Sequence, residues 1–181
     1  SMSHVGLIAA GLFTMSEAGL QGGFVQMFNH GINVVGLFLV ADILEKRLKT
    51  RDITTMGGIA SKAPIFALLS FIIICGAMAV PLTNGFPGEL LLLKSVFTYN
   101  AWLGAFAGLT IIFCSVYLLR TFQLVMFGGT KPSTEHFEEV NSIEGVSLGI
   151  VAFFVVILGI FPQSILDMSG SAVKQFLGFV G

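Results

Sequence analysis

Charged residues are scarce in this chain: Asp, Glu, Lys and Arg make up 10% of its 181 residues, against about 25% in a typical soluble domain. Hydrophobic residues reach 55%, and the mean hydropathy is +0.92. A soluble globular domain is thereby excluded. A membrane protein with several spans is predicted, because each spanning helix needs roughly 20 mostly apolar residues.

Other familiar signatures are missing as well. Net charge is only -1 and no long basic tract is present, which excludes nucleic acid as a partner. There is no dinucleotide-binding glycine fingerprint, phosphate loop, iron-sulfur cysteine cluster or catalytic triad. The two cysteines, Cys75 and Cys114, lie inside apolar runs and are predicted to act as small hydrophobic side chains. We therefore expect no redox cofactor and no metal in this chain.

Long apolar runs predict an all-α polytopic fold. Residues 5–15 are too short to cross a bilayer and are interpreted as the end of a helix whose beginning is missing. About four complete transmembrane helices follow, at 20–44, 63–97, 101–127 and 145–161. Residues 162–181 are predicted to form an amphipathic tail at the membrane interface. The whole of 1–181 is thus predicted to be a fragment of a single membrane domain.

Polar residues separate these spans. Glu17, Gly19 and Gln21 are predicted to form a turn, and the polar residues from Glu45 to Asp52 a loop. That block holds four of the nine Lys and Arg residues, so the positive-inside rule places the loop at 45–62 in the cytoplasm. Alternation along the chain then places the loop at 128–144 in the cytoplasm too. The same alternation places the carboxy-terminus outside.

The second complete span is interrupted near Pro81–Gly88, where two prolines and two glycines cluster. Proline removes a backbone donor and glycine adopts unusual dihedral angles, so the helical hydrogen bonds are expected to open here. The N–H and C=O groups of non-helical backbone at membrane depth need hydrogen-bond partners from protein or water. This break is therefore the predicted location of a functional site.

Glu89 is the first candidate site residue, because an ionisable group within a span is energetically costly. We predict that it lies in the first turn of the resumed helix, where free backbone amides and the helix dipole stabilise a carboxylate. Burial opposes that stabilisation. Such a carboxylate can change protonation during a working cycle, as a proton relay requires. The alternative is a structural carboxylate that satisfies the amides of the helix terminus.

Two histidines are further candidates. His30 lies near the middle of its helix, with Gln26 and Asn33 predicted to share one polar stripe with it. Imidazole both donates and accepts hydrogen bonds, which suits a proton relay. His4, in the truncated first helix, could continue that relay. For both histidines the alternative is a structural side chain that joins helices.

Short motifs along nearly the whole chain resemble one membrane protein family. Ser1 to Gly6 is similar to an S-x-S-H-x-G element, and Gln26 to Gly31 resembles a Q-M-x-x-H-G helix. Pro81 to Leu93 is similar to the pattern P-G-T-x-x-F-V-G-E-F, from which Leu82 and Pro87 depart. Further matching segments are 50–52, 57–58, 115–128 and 159–167. Together they resemble the antiporter-like subunits of respiratory NADH:quinone oxidoreductase (complex I).

The resemblance implies most of the second inverted repeat of such a subunit. Glu89 indicates the M type, because the related L and N subunits and Mrp-type antiporter subunits typically carry lysine at the corresponding position. Carried over by motif, Glu89 would be the terminal protonatable residue. His30 would be a relay, and His4 would lead toward it.

The implied activity is that of a non-redox subunit of a proton-translocating NADH:quinone oxidoreductase. Quinone reduction elsewhere in the complex would drive proton transfer through the intramembrane Glu and His residues. The expected partners are the other membrane-arm subunits of complex I and the lipid bilayer, in the inner membrane of a bacterium. The isolated fragment is not expected to be active. A sodium/proton antiporter subunit of the Mrp type is the alternative, and a passive scaffold or solute-binding protein is a third reading.

Overall fold

The protein is built from helices. The computed structural model describes residues 1–180, which form eight α-helices, one short 3₁₀ turn and no strand. The helices are α1 (Met2–Phe13), α2 (Glu17–Leu48), α3 (Ile59–Lys62), α4 (Pro64–Ala77), α5 (Gly85–Tyr99), α6 (Ala101–Met126), α7 (Ser142–Ile160) and α8 (Gln163–Val180). By length and composition, α2, α6 and α7 can each cross a membrane, while α4 and α5 form one interrupted span. The predicted all-α fold with a broken helix is confirmed.

Helix α2 lies at the centre of the bundle, in contact with α1, α4, α5, α7 and α8. Glycines bring it close to α5. A Cβ atom added to Gly22 would lie 2.8 Å from Leu91 Cβ, and one added to Gly88 would lie 3.1 Å from Gln26 Cα. Small residues let helix backbones approach closely in a membrane. The polar side chains of α2 are thereby brought directly against α5.

The start of α2 differs from the sequence prediction. The turn expected over Glu17, Gly19 and Gln21 is wrong, since α2 begins at Glu17. Ser16 caps the helix by accepting a hydrogen bond from the Gly19 amide at 3.1 Å, which satisfies a donor that the first helical turn leaves free. The connection from α1 is consequently a tight turn over Thr14–Ser16.

The end of α2 also differs. The polar block from Glu45 was predicted to be a loop, but the helix continues to Leu48. Asp42 and Lys46 form an ion pair at 2.7 Å one helical turn apart, an arrangement that stabilises helices. Lys49, with φ of 55°, ends the helix in a left-handed conformation. Charged residues therefore extend this helix beyond its apolar run.

The interruption between α4 and α5 spans residues 78–84, slightly earlier than the predicted Pro81–Gly88. Ala79 and Leu82 have positive φ angles of 52° and 73°, which are strained conformations for side chains with a Cβ atom. Pro87 is the third residue of α5, a position where its missing amide costs nothing. Glu89 is therefore the fifth residue of α5 and not in its first turn as predicted, so the free amides of the helix terminus do not explain it.

Two loops pack against each other at one end of the bundle. Thr134 Oγ1 in the loop after α6 donates a hydrogen bond to the Gly57 carbonyl at 2.6 Å. Arg47, near the end of α2, donates to the Glu138 carbonyl at 2.7 Å. Asn141 and Glu144 form a capping box that begins α7 at Ser142, so this loop is shorter than the predicted 128–144.

Glu139 joins the same loop to the beginning of α4. Its carboxylate accepts hydrogen bonds from the Ile65 amide at 2.8 Å and the Phe66 amide at 3.0 Å, donors that have no partner within their own helix. Burial by itself would raise the pKa of the Glu139 carboxyl. Three backbone hydrogen bonds, from the Val140, Ile65 and Phe66 amides, oppose this effect, and so does the positive charge of Arg47. Together they lower the pKa of the Glu139 carboxyl below its usual value.

The predicted tail at 162–181 is helical over the described part, and residue 181 lies outside it. Helix α8 lies against the first half of α2. Gln21 Nε2 donates to the Leu166 carbonyl at 3.0 Å, and Lys174 lies 4.0 Å from Glu17. Ile165 is buried while Met168 is 75% exposed, so the helix has one apolar face on the bundle and another directed away from it.

Candidate functional site

Glu89 lies in the interior of the bundle and is 4% exposed. Its Oε1 atom is 3.1 Å from His4 Nε2 on α1 and accepts a hydrogen bond from Gln26 Nε2 on α2 at 3.3 Å. Within residues 1–180, no lysine or arginine lies at ion-pair distance from this carboxylate. The charge partner of Glu89 is thus a histidine from another helix, and not a basic residue of α5.

His4 is the residue on which the site converges. Besides Glu89, its Nε2 atom faces the Ala77 carbonyl oxygen, at the end of α4, at 3.0 Å. Its ring stacks on the ring of His30, with centroids 5.1 Å apart and planes inclined by 28°. His4 therefore connects α1 to α5, to the broken end of α4 and to α2.

The structure brings the three predicted site residues together, in the spatial order Glu89, His4, His30. His30 is half-buried and stacks on the His4 ring. The buried polar stripe of α2 differs from the one predicted: it consists of Gln26, Asn29 and Asn33, which are 2%, 0% and 3% exposed. His30 is turned away from this stripe toward His4.

Asn29 and Asn84 hold the break between α4 and α5. Asn29 Nδ2 donates to the Asn84 carbonyl at 2.6 Å, and Asn84 Nδ2 donates to the Asn29 carbonyl at 3.3 Å. The Asn84 amide donates to the Val155 carbonyl on α7 at 2.8 Å. The backbone amide and carbonyl of Asn84, within the break, are thus satisfied by neighbouring helices, as burial in a membrane requires. Neither asparagine was predicted from the sequence to be a site residue. An amide side chain within or beside an apolar run is the pattern that could have indicated them.

Cys114 of α6 belongs to this cluster, although the sequence suggested an inert hydrophobic side chain. Its Sγ atom lies 3.8 Å from the Ala77 carbonyl oxygen and 4.0 Å from His4 Nε2. Tyr117, one turn further along α6, donates its hydroxyl to that sulfur at 3.2 Å. Both cysteines are free thiols, but only Cys114 of the two is buried against polar groups of the site.

The arrangement suits direct proton exchange between side chains. A narrow gap beside Glu89 is too small for a water molecule; its walls include Ser3, Met78 and Thr110. A distance of 3.1 Å lets a proton pass between His4 Nε2 and Glu89 Oε1 without an intermediate. Within the described part of the chain, no cluster of three or more His, Cys, Asp or Glu residues could hold a metal ion.

The chain is similar to known membrane proteins along almost its whole length. Residues 1–115 match a protein family described as "NADH:quinone oxidoreductase/Mrp antiporter, TM". The NADH-quinone oxidoreductase subunit M of Rickettsia conorii is 34% identical over 178 residues, which are 98% of this chain and 36% of that protein. This chain therefore spans about a third of the length of such relatives.

Solved structures give the same result for the fold. A chain of respiratory complex I from Thermus thermophilus superposes with a TM-score of 0.87 and is 27% identical; the match covers 98% of this chain and 38% of that one. A chain of the Mrp complex from Dietzia sp. DQ12-45-1b superposes with a TM-score of 0.84 at 17% identity, over 94% of this chain and 40% of that one.

Proposed function

This chain belongs to the NADH:quinone oxidoreductase/Mrp antiporter family of membrane proteins, and we propose that it is part of a proton-translocating M-type subunit of NADH:quinone oxidoreductase. The observation that carries the proposal is the contact of 3.1 Å between the buried carboxylate of Glu89 and His4 Nε2. A buried acid and a buried base at this distance can exchange one proton. Quinone reduction elsewhere in the complex would drive that exchange.

The chain's own residues perform the transfer in this proposal. His4, protonated on both ring nitrogens, gives its Nε2 proton to Glu89 Oε1 and becomes neutral, while Glu89 becomes the neutral acid. Gln26 Nε2 holds the same carboxylate oxygen at 3.3 Å and keeps it facing His4. His30, stacked on the His4 ring, is the relay that returns a proton to His4. The chain contributes no redox centre in this proposal.

Location and partners are part of the proposal. The protein would lie in a bacterial inner membrane, beside the other membrane-arm subunits of the complex. The loops around Gly57 and Thr134 contact each other, so both have to be on one side of the membrane. Four of the nine Lys and Arg residues lie between Glu45 and Asp52, which favours the cytoplasmic side for both loops and the outside for the carboxy-terminus.

A sodium/proton antiporter subunit of the Mrp type shares the fold and is the other candidate. A glutamate at position 89, where Mrp-type subunits typically carry lysine, favours the oxidoreductase. The similarity to the NADH-quinone oxidoreductase subunit M of Rickettsia conorii points the same way. The two candidates differ in what drives transport: electron transfer from NADH to quinone in the first, and ion gradients in the second.

The test is a Glu89→Gln substitution in the full-length protein, within its assembled complex in membrane vesicles. NADH-driven proton uptake should fall by about 100-fold, the scale for losing a positioned acid or base, while the complex still assembles. Glu135→Gln is the matched control, since Glu135 is an exposed loop residue. Normal proton uptake by the Glu89→Gln variant, or proton movement that needs sodium but not NADH, would contradict the proposal.

A further inference from the structure

Cys114 has a position that the proton exchange between His4 and Glu89 does not by itself explain. Three groups share the space around His4 Nε2: the Ala77 carbonyl oxygen at 3.0 Å, Glu89 Oε1 at 3.1 Å and Cys114 Sγ at 4.0 Å. Cys114 is 3% exposed. Its thiol is therefore enclosed with the reacting pair and not directed toward the surrounding membrane.

Ala77 supplies the reason why a third group is needed. Its carbonyl is one of the acceptors that α4 leaves free where the helix breaks, and helix termini need partners from outside the helix. A protonated His4 offers its Nε2 hydrogen to this oxygen and to Glu89. Once that hydrogen has moved to Glu89, His4 Nε2 holds a lone pair and faces the Ala77 oxygen with nothing to donate.

The thiol is within reach of the same oxygen. Cys114 Sγ lies 3.8 Å from the Ala77 carbonyl oxygen, a distance at which an S–H group donates a weak hydrogen bond. Tyr117 fixes the direction of that thiol, because its hydroxyl donates to Cys114 Sγ at 3.2 Å. With a lone pair of the sulfur engaged by Tyr117, the S–H hydrogen is left for Ala77.

We propose that Cys114, oriented by Tyr117, is a positioning residue for proton transfer: its thiol donates to the Ala77 carbonyl whenever His4 has given its Nε2 proton to Glu89. The proton leaves His4 with the bonding electron pair remaining on nitrogen and forms an O–H bond on Glu89 Oε1. The thiol keeps its own hydrogen throughout. This inference rests on the proposed function, and it adds two residues of α6 to the site.

Substitutions at position 114 in the full-length protein within its complex test the inference. Cys114→Ala should lower NADH-driven proton uptake by about tenfold, the size expected when one buried hydrogen bond is lost from the transfer step. Cys114→Ser keeps a hydroxyl donor and should stay within about threefold of the parent. Cys75→Ala is the matched control, since that half-buried cysteine of α4 lies outside the cluster, and it should behave as the parent.

A spectroscopic measurement separates positioning from packing. The S–H stretching band of Cys114 should shift when Tyr117→Phe removes the hydroxyl that orients the thiol, and again when Glu89→Gln removes the proton acceptor. The proposal is overturned if the alanine and serine variants pump equally, or if the band is unchanged in both other variants. Should Glu89→Gln lose proton uptake while Cys114→Ala retains it, this inference fails and the proposed function stands.

Discussion

Glu89 Oε1 and His4 Nε2 lie 3.1 Å apart, and this contact joins the helix after the break to the first helix of the chain. The pair is buried, with side chains 5% and 10% exposed respectively. A buried carboxylate without a partner is costly, so the histidine stabilises the site in addition to taking part in the proton exchange that we propose. Stability and proton transfer are therefore expected to fall together when His4 is replaced by a side chain that cannot pair with Glu89.

Replacing His4 tests that link. His4→Ala leaves the Glu89 carboxylate without its charge partner, and removal of one member of a buried pair costs about 3–5 kcal/mol. We expect the solubilised complex to lose thermal stability and proton uptake together. His4→Gln retains a donor to Glu89 but cannot carry a proton, so it should recover stability without recovering uptake. Recovery of both by glutamine would assign His4 a purely structural role.

The asparagine pair that holds the break gives a second prediction. Asn29→Leu removes the donor to the Asn84 carbonyl and leaves that buried oxygen unsatisfied, at a cost of about 1–3 kcal/mol. Asn33→Leu is the control: both asparagines have a buried Oδ1 atom without a hydrogen-bond partner in the described structure, but of the two only Asn29 donates through Nδ2 to a backbone carbonyl. Thermal unfolding should show a clear loss for Asn29→Leu and little or none for Asn33→Leu. Equal losses would mean that volume, and not the hydrogen bond, matters at both positions.

Close approach of α2 and α5 is the basis of a third prediction. In Gly88→Ala the new methyl group would press on the side chain and the Cα atom of Gln26, which holds the Glu89 carboxylate. Proton uptake should fall, by about tenfold if one hydrogen bond is lost. Gly149→Ala on α7 meets no neighbour and should be neutral or stabilising by about 0.5–1 kcal/mol. A Gly88→Ala variant as active as Gly149→Ala would show that this spacing is unimportant.

Glu139 predicts a pH dependence at the other end of the bundle. The pKa of its carboxyl lies below the ordinary value of 4.5, so the ionised form is favoured by folding. The contribution is complete above pH 4.5 and is lost as the pH falls through the lowered pKa. Thermal stability of the parent should therefore decline more steeply on acidification than that of Glu139→Gln. Glu135→Gln is the control, because Glu135 is an exposed glutamate of the same loop. This variant should show the same dependence of thermal stability on pH as the parent.

The sequence predicted the membrane class and the broken helix, because these follow from apolar runs and their interruption. It also singled out three ionisable residues that the structure brings together, because such groups are costly within apolar runs. It did not predict that His4 would be the partner of Glu89, since that contact arises only when α1 packs on α5. The place of Cys114 in the site was not predicted for the same reason, since its polar neighbours come from α1 and α4. The start of α5 was misplaced because Pro87 was interpreted as part of the break, whereas proline is compatible with a first helical turn.

Infrared difference spectroscopy of the complex tests the central claim most directly, because it reports the protonation of Glu89 itself. Addition of NADH to the full-length protein in its complex should produce a carboxylic acid C=O band as Glu89 takes the proton of His4. That band should be absent from Glu89→Gln and present in Glu135→Gln. Identical difference spectra for the parent and Glu89→Gln would contradict the assignment of Glu89 as the residue that changes protonation during turnover.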